Sequence, residues 1–205
     1  HRRVDLPARL RELLGPAAVL TDAADLSPFL TDHRRLYSGS AAAVVLPDSV
    51  DQVSRLLAFC HDARIPVVPQ GGNTSYCGGA TPDASGRSIV LAMRRLRRIR
   101  AVDAANFSLV AEAGCLLAEV QAAARSADRL FPLSLGSEGS CQIGGNLATN
   151  AGGTAVLRYG MARDLTLGIE AVFADGSVYS ELAPLRKDNT GYDLRDLLIG
   201  SEGTL

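Results

Sequence analysis

Two stretches of this 205-residue chain concentrate backbone amides where few side chains cover them. The longer is Leu135-Gly-Ser-Glu-Gly-Ser-Cys-Gln-Ile-Gly-Gly-Asn-Leu-Ala-Thr-Asn-Ala-Gly-Gly153. There Gly136, Gly139, Gly144, Gly145, Gly152 and Gly153 are interleaved with Ser137, Ser140, Thr149 and Asn150. The shorter is Pro69-Gln-Gly-Gly-Asn-Thr-Ser-Tyr-Cys-Gly-Gly79. Glycine reaches positive φ and lets a ligand approach the main chain. Successive exposed N–H groups in such turns make anion-binding concavities. One such loop is explained equally well as a flexible surface turn. Two together predict a single large phosphate-containing ligand.

Familiar phosphate loops are missing. No two glycines sit two apart, so Gly-x-Gly-x-x-Gly is absent and a Rossmann turn is disfavoured. No Gly-Lys pair occurs, and Lys187 is the only lysine, which excludes a Walker A loop. There is no Gly-x-Ser-x-Gly, hence no nucleophile elbow. The anion chemistry needs another scaffold.

The elements that must carry these loops are legible in part. Asp5 to Leu14 reads as an amphipathic helix stopped by Gly15-Pro16, and Asp22 to Asp32 is ambiguous between a helical turn and a loop. Ala43 to Leu46 reads as a strand. Ser49-x-x-Gln52 resembles a capping box, with Val50, Val53, Leu56, Leu57 and Cys60 following at helical spacing. Ile65 to Val68 is a second strand that delivers the chain into the shorter loop, so the unit predicts βαβ with a parallel pair. Ser88–Met93 and Phe107–Ala113 read as strands, Leu116–Ala127 as a helix, and Leu194–Leu198 as a last short helix. Asp175-Gly176, flanked by Ile169–Ala174 and Ser177–Ser180, predicts a hairpin with a two-residue type I′ turn.

Composition bounds the rest. A hydrophobic fraction of 47%, a charged fraction of 21% and a net charge of −1 describe a globular protein with nothing global to attract nucleic acid. The run Arg94-Arg-Leu-Arg-Arg-Ile-Arg100 lacks aromatics and is expected to be a solvated strand face or edge. Cys60, Cys77, Cys115 and Cys141 form no Cys-x-x-Cys pair and predict reduced thiols in a cytoplasmic setting. His1, His33 and His61 give no metal-ligand spacing, so no metal site is expected within the chain. No apolar run approaches the ~20 residues of a membrane span, although peripheral membrane association is compatible with the sequence. The missing initial methionine and the stop within Gly200–Leu205 are read as marks of a piece of a longer protein.

On these residues a family resemblance emerges. Pro69-Gln-Gly-Gly-Asn-Thr-Ser75 with Gly78-Gly79 resembles the first pyrophosphate loop of the vanillyl-alcohol-oxidase (PCMH) type of FAD-binding domain. Gly139 to Gly153, followed by Arg158-Tyr-Gly160, resembles its second loop, in the branch of D-lactate and D-2-hydroxyglutarate dehydrogenases. Arg186-Lys-Asp-Asn-Thr-Gly-Tyr-Asp-Leu194 and Ile199-Gly-Ser-Glu-Gly-Thr204 continue it in order, so it runs from about Ala42 to the last residue.

The resemblance implies an α+β fold of two subdomains, residues 1–100 and 101–205. The first would be small and contain the βαβ unit, and the second would carry a larger mixed or antiparallel sheet with flanking helices. It implies that the amides of Gly71, Gly72, Asn73, Thr74 and Ser75, with Pro69, Gln70 and Gly78, hold the pyrophosphate. Gly136, Ser137, Ser140, Ile143, Gly144, Gly145, Asn150 and Gly153 would contact other FAD atoms. Ile169 would lie beside the adenine end, and Glu202-Gly203 would approach the cofactor. Ser75 stands where many relatives have glycine, and Tyr76-Cys77 replace a more aliphatic pair, changes that leave the backbone donors intact. Flavin would be bound non-covalently, with Cys141 a packed loop residue.

The implied reaction is oxidation of a D-2-hydroxy acid to the 2-keto acid, a hydride equivalent passing to flavin N5 while a base takes the hydroxyl proton. Substrate arginines, metal-ligand histidines and the base would belong to a C-terminal cap outside this chain. The electron acceptor would be an electron-transfer flavoprotein, a quinone or a cytochrome. Two other functions compete: a sugar or aldonolactone oxidoreductase on the same fold, and a non-enzymatic nucleotide-binding module. Lys187 and Asn189 are read as packing a loop in preference to catalysis.

Overall fold

The computed structural model describes residues 5–205, so His1 lies outside the described residues. The chain divides into two compact units, residues 5–95 with 172–178, and residues 96–171 with 179–205.

The first unit is built on a four-stranded sheet of order β1-β2-β4-β3. Its strands are β1 (Val19–Leu20), β2 (Ala43–Val45), β3 (Val67–Gln70) and β4 (Ile89–Ala92). β1 is antiparallel to β2, whereas β2 and β3 each run parallel to β4. The expected parallel pair is therefore not a pair of neighbours. The strand that follows the glycine loop inserts between the two that flank the helix, placing Val44 opposite Val90 and Val68 opposite Val90. Local sequence sees the crossover but not which strand fills the gap. Every residue of β2 and β4 is buried, which is why both read as apolar runs without alternation. Leu26, Phe29, Val44, Leu46, Val90 and Ala92 form one core cluster.

Helix α1 (Leu6–Leu14) starts where the Asp5 carboxylate accepts from the Ala8 amide at 3.4 Å and stops at Gly15, whose φ is 86°. The ambiguous segment contains α2 (Ala23–Leu26) and a 3₁₀ turn over Ser27–Phe29. Helix α3 (Val50–Ala63) is capped by Ser49 Oγ, which accepts from Gln52 N at 3.2 Å. The reciprocal bond of the box closes one residue early, on the Asp48 amide at 2.9 Å.

The second unit carries β5 (Ile99–Asp103) antiparallel to β6 (Ser108–Ala111), and the pair β7 (Ile169–Val172) and β8 (Val178–Glu181), whose turn-proximal ends belong to the first unit. Its helices are α4 (Leu117–Ser126), α5 (Ile143–Ala148), α6 (Val156–Tyr159) and α7 (Leu194–Leu198). The α+β class stands; in the described residues the expected larger sheet is divided into two two-stranded pairs. The type I′ turn is corrected. Only Gly176 has positive φ (88°), and Gly176 N donates to Phe173 O at 2.9 Å, so a type I turn ends in a glycine bulge. Asp175 stays out of the left-handed region and accepts from Ser177 N at 2.8 Å.

The arginine run is not one strand face. Leu96 is buried, Arg95 pairs with Asp48, Arg97 with Glu119, and Arg98 and Arg100 with the buried Glu112; only Ile99 onward is strand. These carboxylate partners take up charge that a polyanion would need.

Candidate cofactor site

In the first unit, β3 ends at Gln70 and releases the chain into the shorter glycine loop. Gln70 is buried, and its carboxamide nitrogen donates to Phe29 O and Ala80 O, both at 2.9 Å. One side chain thus ties the loop's entry to its exit. Asn73, at φ 55°, donates from its carboxamide to Thr31 O at 2.8 Å. The Gln70 carboxamide nitrogen and one N–H of the Asn73 carboxamide are thus spent on holding the loop.

The loop rests on the turn 31–38. Asp32 accepts from Tyr37 N at 2.7 Å and Arg34 N at 3.0 Å, and the Tyr37 bond above all holds its carboxyl below the usual aspartate value. Gly78, at φ 75°, lies under the Tyr37 ring, where a Cβ would come within 2.8 Å of a ring carbon. Tyr76 is exposed beside His33, with the Arg34 guanidinium 5.3 Å from its ring centre. Among the described residues, none of the amides of Gly71, Gly72, Asn73, Thr74 and Ser75 donates to a protein acceptor. Five successive N–H groups without a protein acceptor, on a clamped loop, are available to an anion.

In the second unit, the longer loop is not irregular throughout. Ser137 O accepts from Ser140 N and Cys141 N, both at 2.8 Å, closing a tight turn that leaves Gly136 and Gly139 over open space and Ser140 exposed. Cys141 packs with Leu117, Leu133 and Ala162, as expected of a packed loop residue. The chain then turns into α5, a helix where two glycines of low helix propensity predict a loop. Tertiary contacts compensate. Ile143 N donates to Cys115 O at 2.9 Å, and Gly144 N to Ala113 O at 2.8 Å. A Cβ on Gly144 would lie 2.7 Å from the Ala113 Cβ, whereas one on Gly145 would meet nothing within 4 Å. Gly144 serves packing, and Gly145 leaves room that a ligand can fill.

The far end of α5 is fixed as well. Gly200 N donates to Leu147 O and Glu202 N to Ala148 O, placing Glu202-Gly203 at the helix C-terminus. Asn150, at φ 48°, accepts from Arg163 N at 3.0 Å, and the Arg163 guanidinium donates to Ile199 O at 2.7 Å. Gly153 lies so close to Ser134 that a Cβ would fall 2.0 Å from its carbonyl oxygen. Ile169 opens β7 and is buried. Gln142 and Asn146, which sequence reading did not single out, are buried, and each has a carboxamide oxygen without a hydrogen-bond partner. Their spacing is a signal only once residues 143–148 are known to be helical.

Taken separately, the first loop offers amides without a protein acceptor, and the second offers glycine-cleared space at Gly145. Among the described residues no group of three or more His, Cys, Asp or Glu converges to hold a metal, and no helix is long and apolar enough to cross a membrane.

Comparison with known proteins supports the same cofactor. The chain is 44% identical over 194 residues to D-2-hydroxyglutarate dehydrogenase, mitochondrial, of Bos taurus, covering 95% of this chain and 35% of the relative. It is 43% identical over 195 residues to the protein of the same name from Arabidopsis thaliana, covering 95% of this chain and 34% of the relative. The chain thus spans about a third of the length of these relatives. The solved structure of an alkyldihydroxyacetonephosphate synthase superposes with a TM-score of 0.85 at 22% identity, over 97% of this chain and 37% of that one, which establishes the fold. Residues 41–180 match the model of a family described as FAD binding domain, and the chain belongs to that family.

Proposed function

We propose that this chain is the FAD-holding part of a flavin-dependent dehydrogenase that oxidises a D-2-hydroxy acid, of the D-2-hydroxyglutarate or D-lactate type, to its 2-keto acid. The observation that carries the reading is the Gly71–Ser75 nest, clamped by Gln70 and Asn73, within a chain 44% identical to a D-2-hydroxyglutarate dehydrogenase. Residues 1–100 and 101–205 are proposed as the two FAD-binding subdomains. The amides of Gly71 to Ser75 neutralise the pyrophosphate without a lysine or metal, and Pro69 and Gly78 bound that cradle. Gly136, Ser137, Ser140, Ile143, Gly144, Gly145, Asn150 and Gly153 shape the surface for the rest of the cofactor. Ile169 and the Glu202-Gly203 turn lie at its margins.

Bound FAD would accept the hydride equivalent that the substrate α-carbon loses. Binding is non-covalent in this proposal: Cys141 is buried in a packed cluster, and the exposed Cys77 lies on the phosphate loop. Substrate selection, the base and any divalent metal are assigned to the remaining two thirds of the relatives' length. The electron acceptor is an electron-transfer flavoprotein, a quinone or a cytochrome. The four free thiols suit a reducing compartment, the cytoplasm in the simplest case, whereas the relatives are named as mitochondrial.

The test is the visible spectrum of the full-length protein. It should show oxidised flavin that bleaches anaerobically on addition of D-2-hydroxyglutarate or D-lactate. Bound flavin that no D-2-hydroxy acid bleaches would reject the reaction while leaving the cofactor assignment standing.

A further inference from the structure

The turn between β5 and β6 holds an aromatic ring for which the unit's own core has no use. Phe107 is 66% exposed and sits at φ 54°, in the left-handed region that bulky side chains resist. Such strain persists only where the surroundings over-determine it, and it clusters at functional positions. Here the surroundings are explicit. The Arg129 guanidinium lies 4.3 Å from the centre of the Phe107 ring and donates through Nε to Ala104 O at 2.9 Å. Arg186 donates to Asn106 O at 2.7 Å and to Phe107 O at 3.3 Å. The Asn106 carboxamide donates to Pro184 O at 3.2 Å. Three loops of the second unit are thus fastened into one surface around an exposed ring. Leu130 and Leu185, chain neighbours of Arg129 and Arg186, are also more than half exposed.

An aromatic ring and arginines at the middle of an exposed patch are the side chains that dominate interface energetics. The charges say which partner fits. Arg129 and Arg186 donate to carbonyl oxygens and not to carboxylates. In the same loops, Asp103 and Asp128 take part in no ion pair among the described residues. Lys187 and Asp188 extend the patch with one further charge of each sign. A surface of balanced, uncompensated charge suits neither a polyanion nor a polycation. Turned about a two-fold axis, it can set cation against carboxylate with a copy of itself.

We infer that this face is where a second copy of the chain docks, the Phe107–Arg129 patch of each copy packing on that of the other in an isologous interface. The ring stacked by Arg129 keeps a solvent-facing side for the contact. Held in place before association, it loses little freedom on docking. The rest of a standard interface, about 800 Å² per copy, comes from the polar surface around the three loops. The inference is independent of the cofactor assignment, because none of these residues belongs to either glycine loop.

The test is the mass of the full-length protein, by sedimentation and light scattering, at about 1 to 100 μM. A monomer–dimer equilibrium is expected. Phe107→Gly should raise the dimer Kd by about tenfold or more, the effect of removing an interface anchor. Its monomer should fold and keep its Tm, because glycine adopts φ 54° freely and the lost ring is exposed. Leu130→Ser, at another exposed side chain, should weaken the dimer in the same direction. A protein that stays monomeric throughout that range overturns the inference. So does a dimer whose Kd Phe107→Gly leaves unchanged, since the two-fold axis would then pass through another face. Should Phe107→Gly fail to fold, Leu130→Ser decides by the same criterion. Failure of both to fold counts against, because the patch would then be buried within the longer chain.

Discussion

The Asn73 carboxamide donates to Thr31 O at 2.8 Å, which makes a residue of the shorter glycine loop into a fastener between that loop and the turn beneath it. Asn73 also occupies φ 55°, a conformation that asparagine tolerates and most residues resist. Asn73→Gly keeps the backbone freedom and removes only the fastener. Its Kd for FAD should rise by about threefold to tenfold, the scale of one partly buried hydrogen bond, and apo Tm should fall, since the bond is already made without ligand and glycine frees the unfolded chain. Fluorescence titration with FAD measures the first quantity and thermal denaturation the second. An unchanged Kd would mean that Gln70 alone fixes the loop.

Much of this arrangement was visible in the sequence, and the gaps have physical causes. The two amide-rich loops stood out because two glycine clusters, each interleaved with Ser, Thr and Asn, occur in one chain. Helices with polar caps, such as α1 after Asp5 and α3 after Ser49, were legible because their signals are local. Helix α5 was not, since Gly144 and Gly145 argue against a helix and the compensating bonds come from Ala113 and Cys115, some thirty residues away. The insertion of β4 between β2 and β3 was equally invisible, because strand order is decided by pairing at a distance. The free amides of Gly71–Ser75 could be suspected from composition, but the clamps by Gln70 and Asn73 depend on Phe29, Thr31 and Ala80 being brought alongside.

Glu112 carries a pH dependence. Burial pushes its carboxyl up, but hydrogen bonds from the Arg98 side chain and amide and from Arg100 outweigh that, and the net value lies below the ordinary 4.5. A carboxyl lowered on folding contributes stability that is fully present above about pH 4.5 and is lost as pH falls through the lowered value. Tm should therefore decline below that pH, and Glu112→Gln should flatten part of the decline. At neutral pH the same variant should destabilise by about 2–3 kcal/mol, less than a fully enclosed ion pair because the Arg98 side chain is largely exposed. Urea denaturation at pH 7 and pH 4 measures both effects; a variant with wild-type stability at pH 7 would remove Glu112 from the account.

The cysteines should separate by reactivity. Cys77 is exposed on the shorter glycine loop, whereas Cys60, Cys115 and Cys141 are buried. Burial also pushes the Cys60 thiol up to about 11, so almost none of it is thiolate near neutrality. Brief treatment of the native protein with iodoacetamide at pH 8 should label Cys77 first and leave Cys60 unmodified by peptide mass spectrometry. Saturating FAD should slow labelling at Cys77 if the loop holds the pyrophosphate. Equal labelling of Cys60 and Cys77 would contradict the packing of α3.

Adjacent glycines at the start of α5 should respond in opposite ways to the same substitution. Gly144→Ala would drive a methyl to 2.7 Å from the Ala113 Cβ and 3.0 Å from its carbonyl oxygen. Neither the backbone nor the neighbouring Cβ can swing aside, so the apo protein should lose about 1–3 kcal/mol. Gly145→Ala enters open space, and alanine's better helix propensity should stabilise the apo protein by up to about 1 kcal/mol. That open space is where the cofactor is proposed to lie, so the added methyl should weaken FAD by about tenfold or more even as it raises apo Tm. Paired measurements of apo Tm and FAD Kd on the two variants test the assignment. A Gly145→Ala protein that is more stable and binds FAD as tightly as before would show that the space beside Gly145 faces solvent and not the cofactor.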